Sequence, residues 1–180
     1  GGIPILFPIC GDLSEGYLID GKKYFLKQHG FARDLPWSIG LTKDNLGISL
    51  KLSDTSDSRA AFPFFFTLQM DVCLKEKSLQ ISVKIYNDSQ YTMPFSFGLH
   101  PYFKVSNLQN IKIDGLPKKC IDQTNMKVTN TSDQIRILDK GVDFISYPSC
   151  SIKLCDSLAG NVIELIHQEP MDITVIWTDP

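Results

Sequence analysis

Three short segments of the chain carry polar side chains in settings that packing alone does not require. They cover residues 28–37, 93–103 and 139–144. Each combines an amide, imidazole, guanidinium or carboxylate group with glycine or proline, which shape the backbone at turns and strand ends. Groups of these kinds bind hydroxyls or anions and transfer protons. The segments therefore indicate a site for a small polar ligand.

The first segment places Gln28, His29 and Arg33 around a glycine and an alanine, QHGFAR. Small residues let the backbone approach a ligand closely. The three polar side chains can bind ligand oxygens, and the nearby aromatic residues suit the face of a sugar ring. The alternative is an ordinary polar turn in which Arg33 pairs with Asp34.

The second segment is an apolar stretch that ends in His100, directly before Pro101. The residue before a proline is driven to extended geometry, so we expect His100 at a strand end with its imidazole at a rim. Histidine titrates near neutral pH, which makes His100 a candidate general acid. The alternative is a core histidine bonded to a backbone carbonyl.

The third segment presents Asp143 in a Gly-x-Asp pattern that opens a strand. A carboxylate there can accept a hydrogen bond from a sugar hydroxyl. The spacing alone favours the alternative, a turn aspartate.

Other site types lack their sequence signatures. The three histidines have no HxH or HxxxH spacing, so no metal site is predicted. His167 shares a predicted strand face with Ile163 and Leu165, which is typical of a core or edge position. There is no P-loop, no GxSxG and no GxGxxG after a strand, and we expect no cofactor.

Together the strings GGIPILFP at 1–8, QHGFAR at 28–33 and GLHPYF at 98–103 resemble the aldose 1-epimerase family, in its hexose-6-phosphate mutarotase branch. The pair QHGFAR and GLHPYF is specific to that branch, and the resemblance runs through the strand at 172–177. It implies a galactose mutarotase-like β-supersandwich that interconverts the α and β anomers of an aldose or its 6-phosphate. No metal or organic cofactor is implied.

The resemblance also implies a role for each candidate residue. His100 would be the general acid that protonates the ring oxygen. Gln28 and Arg33 match ligand-binding positions, and the rigid guanidinium fork suits a phosphate or sugar oxygen. Asp143 matches an acceptor for a sugar hydroxyl, and His29 matches a substrate-contacting histidine of the galactose branch.

Two positions of the family pattern lie outside these residues. The family has an arginine just before GGIP and a glutamate, its general base, on a strand beyond the one ending at Trp177. Glu169 imitates that glutamate, but it lies in the turn before the strand at 172–177, one strand too early. We therefore expect a segment of a longer protein, incomplete at both ends and severely weakened as a catalyst by itself.

Two alternatives from other classes remain open. A non-catalytic carbohydrate-binding or sensor protein of the same fold would lack a glutamate in the strand after Pro180. A β-sandwich interaction module without a sugar site would scatter Gln28, Arg33 and His100, for example more than about 15 Å apart.

The elements that must position these residues have the period of two that is typical of strands. Apolar and polar residues alternate over 66–74 and again over 79–85, which predicts a hairpin. Further predicted strands are 46–52, 93–99, 111–115, 134–138, 143–147, 151–155, 161–167 and 172–177. Residues 53–61 and 117–133 are predicted loops, and no window of 12 residues has a helical period. The prediction is an all-β fold, a large antiparallel β-sandwich, as one domain over 1–180.

The charge and cysteine content limit the classes of partner and the location that we expect for the chain. Eighteen Lys and Arg against 20 Asp and Glu give a net charge of −2, which disfavours nucleic acid and anionic membranes and favours a small-molecule sugar or sugar phosphate. Five cysteines without a CxxC pair indicate reduced thiols and a cytoplasmic location. No apolar run is long enough to predict a membrane span.

Overall fold

The computed structural model describes residues 2–13 and 15–179, and strands dominate it. The chain divides into two compact units, Gly1–Tyr102 and Phe103–Pro180. The elements of the first unit are β1 Ile5–Leu6, β2 Tyr17–Ile19, β3 Lys22–Tyr24, β4 Ser38–Leu41, β5 Ile48–Ser53, α1 Ser56–Ala61, β6 Phe66–Lys75, β7 Ser78–Asn87 and β8 Gly98–Leu99. Those of the second are β9 Ile111–Asp114, β10 Lys119–Asp122, β11 Lys127–Asn130, α2 Thr131–Ile135, β12 Val142–Ser146, β13 Ile152–Asp156, β14 Asn161–Leu165 and β15 Thr174–Thr178. Single 3-10 turns cover Ala32–Asp34, Leu108–Asn110 and Leu138–Lys140.

The first unit is built on a four-stranded antiparallel sheet in the order β4-β5-β6-β7. The predicted hairpin forms one half of this sheet, with β7 at its edge, and β6 and β7 pair along ten positions. Leu68 and Met70 are buried while Gln69 between them is half-buried, as the alternation predicts.

Aromatic rings fill the core above this sheet. Phe7 has no exposed surface, and its ring centroid lies 5.0 Å from that of Phe66 and 6.0 Å from that of Phe62. Edge-to-face packing of this kind is the geometry that aromatic pairs prefer. The core therefore anchors the segment around Phe7, which carries β1.

Segment 5–8 has a partner on each side. On one side β1 pairs antiparallel with β8, so that Ile5 lies opposite Leu99. On the other side Phe7 forms a parallel bridge with Gly30. Two of the three candidate segments thus lie against the same short stretch of backbone.

The second unit contains a four-stranded sheet in the order β11-β10-β12-β15 and a three-stranded sheet in the order β14-β13-β9. Its core is formed by Cys120, Leu138, Val142 and Phe144 with half-buried neighbours. Asp143 alternates with two of these residues on β12.

The predicted strand at 134–138 is wrong, because α2 occupies its first part. Thr131, Gln134 and Leu138 are buried, and Ile135 packs against the second core. That is the spacing of one helical face, but α2 has only five residues and escapes a 12-residue window.

The two predicted loops also contain regular structure. In 53–61, Thr55 and Ser58 form a reciprocal capping box that begins α1, with Ser58 in the place of the usual Glu or Gln. In 117–133, β10 and β11 form an antiparallel hairpin. Strands of four residues among Asn, Thr and Lys give little alternation to detect, and the three-residue strands β2 and β3 were missed for the same reason.

Strands β1 and β4 were not predicted either, and the remaining differences concern the lengths of strands. Only Gly98 and Leu99 of the predicted strand 93–99 are paired as a strand. Neither helix of the described residues is long and apolar enough to cross a membrane. The single domain over 1–180 stays a prediction.

Candidate active site

His100 follows the last residue of β8, at the strand end where its sequence setting predicts it. Its backbone N–H donates to the carbonyl of Pro4 at 3.0 Å, which extends the β1–β8 pairing by one step. The imidazole stacks on the ring of Tyr102, with centroids 4.7 Å apart and planes 21° apart. The residue is half-buried, so its ring is held in place and still reaches solvent.

His29 lies beside it. The ring centroids of His29 and His100 are 6.1 Å apart, with planes at 79°. His29 occupies the third position of a turn closed by the Gly30 N–H and the Lys27 carbonyl at 2.8 Å, and its φ is +64°. Glycine or asparagine usually takes that turn position, so the backbone is strained where the two histidines meet.

The electrostatic setting keeps His29 neutral. Burial lowers the pKa of His29 below its ordinary value, and the nearby charges of Arg33 and His100 lower it further. The carboxylate of Asp12 acts in the opposite direction. The neutral form of His29 is therefore favoured.

Gly30 lets the turn dock on segment 5–8. Its φ is +71°, and a Cβ there would lie 2.1 Å from the carbonyl oxygen of Phe7. The same oxygen accepts the N–H groups of Phe31 at 3.0 Å and Ala32 at 3.2 Å. A side chain at position 30 would separate the two segments, so glycine is required here.

Arg33 lies on the 3-10 turn Ala32–Asp34, which follows the turn that carries Gln28 and His29, and both Arg33 and Gln28 are exposed. The Nη2 of Arg33 donates to the carbonyl of Gln28 at 3.0 Å. The ion pairs found among the described residues join Arg59 to Asp54, Arg136 to Asp133 and Lys153 to Glu164, and none joins Arg33 to Asp34.

A cleft of about 550 Å³ begins at Arg33. Asp34 and Trp37 line it beside Arg33, over an apolar floor that includes Leu50 and Met70. Its volume lies in the range of small-molecule sites, and an aromatic wall with a few polar groups suits a sugar.

Asp143 belongs to the second unit. Its Oδ1 accepts from the Nε2 of Gln123 at 2.5 Å, and its carbonyl accepts the Gln123 N–H at 2.9 Å. Gln123, twenty residues away in sequence, was missed because only the β10–β12 pairing brings it there. His167 is half-buried and follows the end of β14 at Leu165, two residues short of the predicted strand.

Sequence reasoning also missed Gly11, which bonds the ring of His29, and Ser96, which bonds the residue before Gly11. Gly11 donates to the imidazole of His29, and Ser96 accepts from the neighbouring Cys10. A glycine and a serine carry no local signal for such a role. Only the docking of segment 5–11 on the other two segments shows it.

The strand-dominated architecture is that of a galactose mutarotase-like β-sandwich. The structure superposes on a galactose mutarotase-like protein from Lactobacillus casei ATCC 334 with a TM-score of 0.81 at 24% identity, covering 98% of this chain and 67% of that one. The sequence model of the aldose 1-epimerase family matches residues 2–180, and the chain belongs to that family.

Two further relatives share more of the sequence. The Slr1438 protein of Synechocystis sp. PCC 6803 is 36% identical with a TM-score of 0.91, over 98% of this chain and 63% of that chain. A Salmonella typhimurium protein named "Putative glucose-6-phosphate 1-epimerase" is 27% identical over 179 residues, which are 96% of this chain and 56% of that protein. The chain thus spans little more than half the length of this curated relative.

Proposed function

We propose that the protein containing this chain is an isomerase that interconverts the α and β anomers of an aldose or its 6-phosphate. The observation that carries the proposal is the meeting of His29 and His100, whose ring centroids are 6.1 Å apart, near Arg33, which bonds the carbonyl of Gln28. Membership of the aldose 1-epimerase family supports it.

His100 is the general acid in this proposal. Mutarotation needs a base that removes the proton of the anomeric hydroxyl and an acid that protonates the ring oxygen as the C1–O5 bond breaks. Rotation about C1–C2 turns the other face of the aldehyde toward O5, and reversal of the proton transfers closes the ring. The strand-end position and the stacking on Tyr102 support His100 as the acid, because they hold the imidazole in one orientation at an accessible rim.

The other residues bind the sugar. His29 and Gln28 donate to hydroxyl oxygens, and Arg33 binds a hydroxyl or the 6-phosphate. Asp143 accepts from a sugar hydroxyl. The general base is assigned to a glutamate beyond Pro180, since Glu169 lies in an exposed turn ahead of β15. The five cysteines are unpaired thiols, which supports a cytoplasmic location.

The test is anomer exchange with the full-length protein. Proton exchange NMR on glucose 6-phosphate and on glucose measures interconversion of the anomeric signals at equilibrium. His100→Asn is expected to lower kcat by about 10² to 10⁴, or about 3 to 5 kcal/mol of barrier, the range for one positioned acid.

His167→Asn is the matched control, since it changes a histidine of the second unit that the proposal does not use. It should keep normal turnover. Near-normal turnover in His100→Asn would remove His100 from the mechanism. Sugar binding without exchange in the unmodified protein would favour the non-catalytic alternative.

Arg33→Ala distinguishes the two substrate classes. If the substrate is the 6-phosphate, KM for glucose 6-phosphate rises at least tenfold while exchange of free glucose changes little, because a charged hydrogen-bonded contact contributes about 1.5 to 3 kcal/mol. An equal effect on both sugars would assign Arg33 to a ring hydroxyl instead.

A further inference from the structure

The ring of His29 is held by a backbone amide. The N–H of Gly11 donates to Nδ1 of His29 at 3.0 Å. An amide N–H can only donate, so Nδ1 must present its lone pair. The neutral ring then carries its proton on Nε2.

Gly11 and His29 are joined by two reciprocal hydrogen bonds, which together we call the clamp. The N–H of His29 donates back to the carbonyl of Gly11 at 2.7 Å. These two bonds join the ends of the connection over residues 12–28, which contains the β2–β3 hairpin. The ring orientation therefore depends on how the peptide between Cys10 and Gly11 is oriented.

Ser96 holds the preceding peptide unit, the one between Ile9 and Cys10. Its Oγ accepts the N–H of Cys10 at 2.7 Å, and its own N–H donates to the carbonyl of Pro8 at 2.9 Å. Ser96 lies four residues before His100, so it belongs to the segment that carries the proposed acid. One serine thus ties the segment of His100 to the peptide unit directly before the one that holds His29.

We propose that Ser96 is a positioning residue which, through the backbone of Cys10 and Gly11, holds His29 as the Nε2–H tautomer. The neutral ring then donates from Nε2 and cannot accept there, while His100 remains free to transfer a proton. The catalytic consequence rests on the proposed function, but the tautomer does not.

Protonation of His29 would be opposed by the same arrangement. A proton on Nδ1 would face the N–H of Gly11, so two donors would point at each other. The charges of Arg33 and His100 also disfavour the imidazolium, and Asp12 favours it. The clamp therefore keeps His29 an uncharged donor below the pH at which an ordinary histidine titrates.

The test reads the ring directly. Long-range proton–nitrogen NMR of histidine-labelled full-length protein, followed from pH 5 to 8, reports tautomer and titration midpoint, and His29→Gln assigns the signal. The unmodified protein should show Nε2–H at His29 and a midpoint below that of an ordinary histidine. In Ser96→Ala the ratio of Nε2–H to Nδ1–H should fall by a factor of about 3 to 10, the effect of about one neutral hydrogen bond, and the midpoint should rise.

Two further variants separate positioning from general disruption. Ser96→Thr keeps the hydroxyl and should restore the native tautomer, while Ser96→Cys keeps the size with a weak acceptor and should behave like Ser96→Ala. Ser38→Ala, which removes a hydroxyl bonded to the Lys51 carbonyl, should leave the His29 signals unchanged.

An Nδ1–H tautomer in the unmodified protein would overturn the proposal. So would a ratio in both Ser96→Ala and Ser96→Cys within twofold of the unmodified protein. No sugar is present in this experiment. A protein without epimerase activity that shows the expected tautomers would refute only the proposed function.

Discussion

Replacing Gly30 by alanine tests whether segment 5–8 positions the turn that carries His29. Alanine at φ +71° has left-handed strain of about 1 to 2 kcal/mol. Its Cβ would also lie 2.1 Å from the Phe7 carbonyl oxygen, an atom of the backbone that cannot rotate away. The turn must then move off, with the loss of the two hydrogen bonds to that oxygen, at about 1 kcal/mol each. The expected loss of stability is about 3 to 4 kcal/mol.

Two other glycines separate these contributions. Gly21 has a φ of +76° with no atom within 4 Å of its Cβ position, so Gly21→Ala should cost only the strain, about 1 to 2 kcal/mol. Gly40 has an ordinary φ and equally open surroundings, and Gly40→Ala should change stability by less than about 1 kcal/mol.

The assay is urea unfolding followed by tryptophan fluorescence in a Trp177→Phe background. Of the two tryptophans in these 180 residues Trp37 then remains, and its indole N–H donates at 2.9 Å to the carbonyl of Ala32, whose own N–H bonds Phe7. Gly30→Ala should also reduce anomer exchange more than its global stability explains, because His29 moves with the turn. A Gly30→Ala protein as stable as Gly21→Ala would refute the close docking of the turn on Phe7.

Three further changes probe other parts of the structure. Thr55→Ala removes the side-chain cap of α1 and should cost about 1 kcal/mol in urea unfolding, and no change would show that the cap does not stabilise the protein. Tyr17 donates its hydroxyl to the Ala61 carbonyl at 2.6 Å, and burial raises the pKa of Tyr17 to about 12. Because this folded pKa exceeds the unfolded value of 10.0, the contribution of Tyr17 to the free energy of unfolding is fully present below pH 10 and is lost as the pH rises toward 12. Tyr17→Phe should therefore reduce the fall of the free energy of unfolding with pH over this range. An equal fall in both proteins would contradict the assignment. The hydroxyl and N–H of Ser106 hold the pKa of Asp156 below its usual range, so Ser106→Ala should raise the midpoint of the Asp156 carboxyl in an NMR titration and move acid destabilisation to higher pH, whereas an unshifted midpoint would contradict it.

The sequence predicts the long elements of the fold well because their burial pattern is regular. In the β6–β7 hairpin, apolar and polar residues alternate along strands that pair at ten positions, and each repeat of the alternation indicates a strand again. Helix α2 illustrates the opposite case. The alternation of Ile135 and Ile137, across the end of α2, resembles a strand. Only the packing of Ile135 against the second core, which distant residues complete, favours the helix.

The candidate site was predictable where a side chain departs from its local pattern. His100 and His29 are polar residues that directly precede a proline and a glycine, residues that mark turns and strand ends. The structure brings the two imidazole rings together. Gln123 and Ser96 were not predictable in this way. Their roles come from long-range pairing, and a glutamine or serine at such a position has no unusual neighbours in sequence.

Segment 5–8 shows why an apolar stretch can belong to an active site. Its side chains are buried and carry no polar or titratable group, yet its backbone holds both histidine segments. One edge pairs with β8 next to His100, and the Phe7 carbonyl accepts two N–H groups next to His29. Packing of the Phe7 ring against the aromatic core therefore sets the distance between the two imidazoles. Substitutions of Phe7 should consequently affect catalysis as well as stability, although this residue cannot touch a ligand.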